Sequence, residues 1–418
     1  MRERPPLPPG PYLVVGLARS GVAAALALRA AAPGERIVAC DAGAPAQGLR
    51  EREGLRAAGV EVHLDTDGIH LLQASPPPAT VVKSPGVPAG AAVIERARAA
   101  GLEVLGELEL GWRLVPNEFI AVTGTNGKTT TVELIGAIHR AAGAPVAVAG
   151  NVGTPVSSLA GRIDPAATVV CEASSFQLED AIAFAPEVAV LLNIEPDHLD
   201  RHASFEEYRA AKLRIFANQG ASDVAFVGPE VDVPPLPART VRLHGKHHQL
   251  NAAAAVAVCR ERGLDPGVIE RALEEFPGLE HRTEHVASVR GVEYVNDSKA
   301  TNVSATVAAL EAFDGGVHAI LGGSPKGGGF TVLAPAVTAR CRACYLIGAA
   351  APELARDLAT TGVELIECGD LERAVRAAAE RARPGEVVLL APACASFDQY
   401  RDFEERGDHF RALVGELG

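Results

Sequence analysis

Surplus positive charge, paired cysteines and long unbroken apolar runs are all scarce in this chain of 418 residues. Its 39 Lys and Arg are outnumbered by 52 Asp and Glu, for a net charge of −13. General nucleic-acid binders take their affinity from cations that neutralise phosphates, so no nucleic-acid partner is expected, although a small anion needs only a local basic pocket. The seven cysteines are scattered and odd in number, which suits a reducing compartment and not a disulfide framework. Cys341 and Cys344 form one CxxC, but with no second pair or histidine cluster beside them they read as residues flanking a buried strand, not as zinc ligands. The Ala-, Leu- and Val-rich stretch from Leu13 to Ala32 is interrupted by Arg19, Ser20, Gly21 and Arg29. It is a poor membrane span and fits a strand–turn–helix better than a signal peptide, so no membrane insertion and a cytoplasmic location are expected. What is plentiful is ordinary: 48% apolar and 22% charged residues describe a globular protein, too long for one core and built of two or three domains.

The stretch that organises the rest is Phe119–Thr131, FIAVTGTNGKTTT. An apolar, β-rich run ends in the loop Gly124-Thr125-Asn126-Gly127, and Lys128, Thr129, Thr130 and Thr131 open a helix. The two glycines let the backbone curl so that N–H groups point inward, and the helix start adds partial positive charge. Lys128 can reach terminal phosphates and the Thr129 hydroxyl can hold Mg²⁺. Val122 stands where the full phosphate-loop pattern has its first glycine, yet the preceding strand and the threonine run favour a protein that uses ATP.

Before this loop, Tyr12–Val15 reads as a strand, Gly16–Gly21 as a turn, and Arg36–Asp41 as a second strand ending in an acid about twenty residues after the turn. Ala18 replaces the second glycine of the dinucleotide pattern. A third strand, Thr80–Lys83, leads to Ser84-Pro-Gly-Val87. These tips either hold something with phosphates or ribose, or are plain βα turns.

After the loop, Thr168–Cys171 ends in Glu172, and Val188–Leu192 ends in the run Asn193–Asp200. Ligands of open parallel sheets lie beyond the carboxyl ends of the strands, so Thr123–Thr129, Glu172 and Asn193–His198 are expected to converge. Glu172 is a candidate Mg²⁺ ligand, or else a helix-start acid. The spacing over 205–216 predicts an amphipathic helix with Tyr208, Ala211, Leu213 and Phe216 inward, on which Lys212, taken alone, reads as solvated. The proline-rich 229–238 segment is no central strand, and Gly245–Asn251 starts an Ala-rich helix. Past Leu279, strands ending near Val295, Leu321 and Leu390 should place Asp297, Lys299, Thr301, Lys326 and Ser396 along one edge. Lys326 among glycines suits an anionic ligand or a surface loop. The fold expected is α/β with three domains: Rossmann-like over 1–106, a central P-loop ATPase-like parallel sheet over 107–278, and Rossmann-like over 279–418.

Six segments carry a resemblance over nearly the whole chain: GTNGKTT (124–130), EASSFQL (172–178), NIEPDHLD (193–200), YRAAK (208–212), NDSKATN (296–302) and SFDQYRDFEERG (396–407). In this order they resemble the Mur ligases of peptidoglycan synthesis. The resemblance implies an ATP-dependent amide ligation through an acyl phosphate, with UDP-N-acetylmuramoyl-L-alanine and D-glutamate as substrates and a monomer as the working form. It implies that Lys128 holds phosphates, that Thr129 and Glu172 share one Mg²⁺, and that His198 ligates a second. Lys212 would be carbamylated to support that second metal, against its solvated reading. Asn251, Arg282 and Asp297 match nucleotide contacts and Asn151 a residue near the muramoyl group. Thr301, Lys326, Ser396 and Phe403 match the D-glutamate pocket. Gly16, Ser20, Gly21, Asp41, Ser84 and Gly86 would hold the UDP portion. His248 stands where the family often has Asn, and Pro325 and Gly329 replace the usual acids of the Gly322–Phe330 loop. The rivals are another ligase of the superfamily such as folylpolyglutamate synthetase, a nucleotide-binding switch, and an NAD-dependent dehydrogenase built on the first domain.

Overall fold

Short runs of Val, Ile, Leu and Ala bounded by turn residues become strands buried on both faces, the pattern of parallel sheets covered by helices. In the computed structural model, which describes residues 3–43, 49–198, 201–228 and 246–418, such runs build three sheets. The proline-rich 229–238 segment, Gly245 and the last two residues of the Asn193–Asp200 run lie outside the described residues.

The first sheet holds β1 (Tyr12–Val15), β2 (Ile37–Cys40), β3 (Glu61–His63), β4 (Thr80–Lys83) and β5 (Glu103–Gly106), all parallel in the order β3-β2-β1-β4-β5. The order reverses between β1 and β4, and the crevice of a doubly wound sheet opens at that point. The second sheet holds β6 (Phe119–Thr123), β7 (Val146–Gly150), β8 (Thr168–Glu172), β9 (Val188–Leu191) and β10 (Val224–Val227) in the order β10-β9-β6-β8-β7, again parallel. Here β6 lies between β8 and β9, so the tips bearing the glycine loop, Glu172 and Asn193 are neighbours.

The third sheet comprises β11 (Glu284–Val289), β12 (Val292–Asn296), β13 (Val317–Gly322), β14 (Cys341–Ile347), β15 (Glu364–Gly369) and β16 (Val387–Leu390), ordered β11-β12-β16-β13-β14-β15. Only β11 runs antiparallel, joined to β12 by a turn at Arg290-Gly291. The last strand in sequence slots between β12 and β13, which gathers the tips at Asp297, Gly323 and Ala391–Ser396.

By compactness the chain forms two units. One is Met1–Ile194, Glu206–Val233 and Ala254–Ile269, with the first two sheets; the other is Glu195–Phe205, Pro234–Ala253 and Glu270–Gly418, with the third. Within the first unit the tip of β4 is tied to the segment after β8. Lys83 is fully buried, and its Nζ donates to Val87 O at 2.8 Å and pairs with Glu179 at 3.0 Å and Asp180 at 2.8 Å.

The helix over Phe205–Leu213 forms where its periodicity places it, but its buried face differs from the sequence expectation. Tyr208, Ala211 and Lys212 are buried, Ile215 follows them, and Leu213 and Phe216 are only partly covered. Sequence patterning ranked Lys212 among polar positions; its burial is set by the sheet tip it meets.

Candidate active site

Gly127 caps the helix Lys128–Ala141 with φ +86°, a left-handed conformation that glycine adopts without the Cβ clash. The loop before it is pinned from β9. Thr125 N donates to Asn193 O at 3.0 Å, Asn126 N donates to Asn193 Oδ1 at 2.9 Å, and Asn193 Nδ2 donates back to Asn126 O at 3.1 Å. Lys128 Nζ curls over the loop and donates to Gly124 O and Thr125 O, both at 2.9 Å. A cation and a helix N-terminus therefore meet at the same loop.

Beside it, Thr129 Oγ1 donates to Glu172 Oε2 at 2.6 Å, and Asn151 Nδ2 donates to Glu172 Oε1 at 2.9 Å. Glu172 is 2% exposed. Asn151 reaches it because Gly150, φ +119°, passes so close that a Cβ would lie 2.1 Å from Glu172 O. A hydroxyl and a carboxylate within bonding distance form an all-oxygen donor set, which fits a hard divalent cation such as Mg²⁺.

Lys212, 2% exposed, donates from Nζ to Gly124 O at 2.7 Å and sits 4.6 Å above the Tyr208 ring. Tyr208 Oη lies 3.0 Å from Thr125 Oγ1. One helical turn thus presents an amine and a phenol to the loop.

At the reversal of the first sheet, the Gly16 and Ser84 turns touch. Ser84 N donates to Val15 O at 3.0 Å, and a Cβ on Gly16 would meet Ser84 Cβ at 2.9 Å. Asp41 holds the rim together, its Oδ2 accepting from Leu17 N at 2.6 Å and its Oδ1 from Gly43 N at 2.8 Å. Gly21 is needed for packing, since its Cβ would fall 1.7 Å from Gly16 O. Ser20 is half-buried and Gly86 exposed on the same rim.

In the second unit, Asp297 follows β12, its Oδ2 accepting from Thr283 Oγ1 at 3.2 Å, while Thr283 Oγ1 lies 3.3 Å from His248 Nε2. Burial pushes the Asp297 carboxyl up to about 7, against the opposing pull of Arg282 and the Thr283 hydroxyl. Asn251 is buried three residues beyond His248 on the helix Lys246–Glu261. Lys326 Nζ lies 3.5 Å from Thr301 Oγ1 and 3.8 Å from Asp197 Oδ1, and Asn302 Nδ2 donates to Asp197 Oδ2 at 2.9 Å. Against the cost of burial, Lys326 and then His198 hold the Asp197 carboxyl below its ordinary range. His198, with φ +55°, has its Nε2 3.6 Å from Asp197 Oδ2. Ser396 is 2% exposed, and Phe403, at the start of the last helix, lies under Lys299 Nζ at 3.6 Å.

Residues 122–232 match the Mur ligase middle domain and residues 281–394 the Mur ligase, glutamate ligase domain. Over 97% of both chains this one is 41% identical to the UDP-N-acetylmuramoylalanine--D-glutamate ligase of Koribacter versatilis. The chain belongs to the Mur ligases. The fold is also that of two more distant structures. The UDP-N-acetylmuramate-alanine ligase of Thermotoga maritima is 19% identical, with 98% of this chain and 100% of that one covered and a TM-score of 0.59. The MurF ligase of the same organism in complex with ADP is 16% identical, with 92% and 97% covered and a TM-score of 0.58.

In this Mur ligase the sequence-predicted residues fall into groups. Gly124–Thr130, Asn151, Glu172 and Lys212 meet at one set of strand tips in the first unit. Thr301 and Lys326 meet in the second, as do Asp297 and His248 through Thr283, a residue not singled out in the sequence. Three contributions escaped sequence reasoning: the Tyr208 hydroxyl at Thr125, the pairing of Asp197 with Lys326 and Asn302, and Arg406. Arg406 is 1% exposed and donates to Ser298 Oγ at 3.0 Å, Ser298 O at 2.9 Å, and Cys394 O and Ala395 O at 3.2 Å. It braces the tips of β12 and β16 from beneath. The one available signal was an arginine inside a matched segment, followed by Gly407, whose Cβ would lie 2.2 Å from the His281 ring.

Proposed function

We propose that this Mur ligase joins D-glutamate to UDP-N-acetylmuramoyl-L-alanine with ATP, making an amide in peptidoglycan precursor synthesis. The observation that carries the reading is the meeting of Lys128, Thr129 and Glu172 at the start of one helix, in a chain 41% identical to a D-glutamate ligase over its length. A carboxylate is a poor electrophile, and phosphorylation gives it a leaving group. Lys128 and the loop amides would draw charge from the terminal phosphates as the γ-phosphoryl group passes to the substrate carboxylate. The amine of D-glutamate then attacks the acyl phosphate, and the tetrahedral intermediate collapses to amide and phosphate.

Thr129 and Glu172 would hold Mg²⁺, which when bound offsets the negative charge of the phosphates. His198 and a carbamylated Lys212 are the proposed holders of a second ion. An ammonium cannot ligate a metal, so Lys212 would first have to lose a proton and add carbon dioxide. Asn251, Arg282 and Asp297 are assigned to the nucleotide. Thr301, Lys326, Ser396 and Phe403 are assigned to D-glutamate, and Gly16, Ser20, Gly21, Asp41, Ser84 and Gly86, with Asn151 beyond them, to the UDP-sugar. The domain limits that accompany this reading are 1–106, 107–278 and 279–418.

Phosphate release is the test. Purified protein given ATP, Mg²⁺ and UDP-N-acetylmuramoyl-L-alanine should release phosphate with D-glutamate and not with L-glutamate or other amino acids. Turnover that ignores the amino acid, or prefers another, rejects the assignment.

A further inference from the structure

The glycines that follow Lys326 have little of their own to hold their path, while Phe330 beyond them is buried in the core. Gly327, Gly328 and Gly329 are all left-handed, with φ of +81°, +89° and +73°, and a Cβ on Gly327 or Gly328 would meet nothing within 4 Å. Packing therefore does not fix the path of these residues. At its start the loop is bridged to the segment after β16, Ser324 N donating to Ala395 O at 2.9 Å and Ala395 N to Ser324 O at 3.1 Å. At its end, Phe330 N donates to Asp357 Oδ2 at 2.8 Å.

Asp357 comes from a different element, the helix Ala351–Leu358, and sits in that helix's last turn. A carboxylate there opposes the helix dipole, so the helix itself gives no reason for an acid at this position. The Phe330 amide does, and together with Arg356 it holds the Asp357 carboxyl below its ordinary range. Gly329 faces this carboxylate: a Cβ there would lie 3.2 Å from Asp357 Oδ2. A second acid at 329 would put two negative charges together.

We infer that Asp357 is a positioning residue for Lys326: by clamping the Phe330 amide from the neighbouring helix, it fixes the end of the glycine loop and so the place of the ammonium that meets the amino-acid carboxylate. This rests on the D-glutamate assignment of Lys326 above, and deepens it.

Asp357→Ala should raise KM for D-glutamate about fivefold, the loss of one charge-assisted hydrogen bond, while kcat and KM for ATP stay within about twofold. Asp357→Asn, whose amide oxygen can still accept, should fall between. Amide exchange in residues 324–330 of the protein without substrates should quicken in Asp357→Ala and not elsewhere in the third sheet. An unchanged KM with unchanged exchange overturns the inference. So does an equal loss for all three substrates, which marks a general loosening of the fold. Should the wild type ignore D-glutamate altogether, the proposed function fails first, and the exchange measurement alone still decides whether Asp357 clamps the loop.

Discussion

Asp297 shows what burial does to one side chain. Its carboxyl is desolvated more than Arg282 and Thr283 compensate, and ionises only around pH 7. For stability the sign is unfavourable: a carboxyl raised above its ordinary value makes the folded state bind more protons than the unfolded one, so its contribution falls as pH rises from the ordinary carboxylate range to about 7. For a nucleotide hydroxyl the sign is opposite, because the ionised form is the better acceptor. ATP affinity measured by calorimetry should therefore strengthen as pH is raised through about 7, and Asp297→Asn should flatten that dependence. Lys212 tests a second buried charge. Lys212→Ala should lose turnover, and added short carboxylates should restore part of it if a carbamate is what the site needs; no restoration would reject the carbamate and leave Lys212 a brace on Gly124 O.

At the scale of elements, the glycine loop and the helix it opens act as one device. Lys128→Ala removes the cation while leaving the loop's anchors on Asn193 in place, so ATP-dependent phosphate release should vanish and UDP-sugar binding persist. Tyr208→Phe is milder. It deletes only the hydroxyl near Thr125 Oγ1, a loss of about 1 kcal/mol, to be read as a severalfold higher KM for ATP with the melting temperature nearly unchanged. The inner strands and their tips were legible in the sequence because buried parallel strands are contiguous apolar runs closed by turn residues, as at Phe119–Gly124 and Thr168–Glu172, whereas the edge strands β3, β5, β7, β10 and β15 were not. The antiparallel β11 was not, since its six residues are partly exposed and lack a clean alternation. Nor were the roles of Tyr208, Asp197, Asp357 and Arg406. Each acts on a residue far away in sequence, and which tips become neighbours depends on strand order, above all on β16 slotting between β12 and β13. Motif spacing records what lies along one tip, and sheet order decides what lies across from it.

At the scale of the molecule, the first two sheets belong to one compact unit, and a buried ion cluster joins them. Lys83, at the tip of β4, faces Glu179 and Asp180, while Arg98 Nη2 reaches Asp180 at 3.2 Å from the exposed side. Two cations thus meet two acids, and desolvation still raises the Asp180 carboxyl despite Lys83 beside it. Lys83→Met keeps the apolar stem and removes the charge, leaving Asp180 buried with only the half-exposed Arg98 against it. Breaking a buried pair in this way costs about 3–5 kcal/mol, so thermal unfolding should begin several degrees lower. The same lysine donates to Val87 O and so shapes the Ser84–Val87 turn. UDP-sugar affinity should therefore fall with it, even at temperatures where the variant is fully folded. Intact affinity in a destabilised Lys83→Met would separate the two roles and leave the cluster a purely structural joint between the sheets.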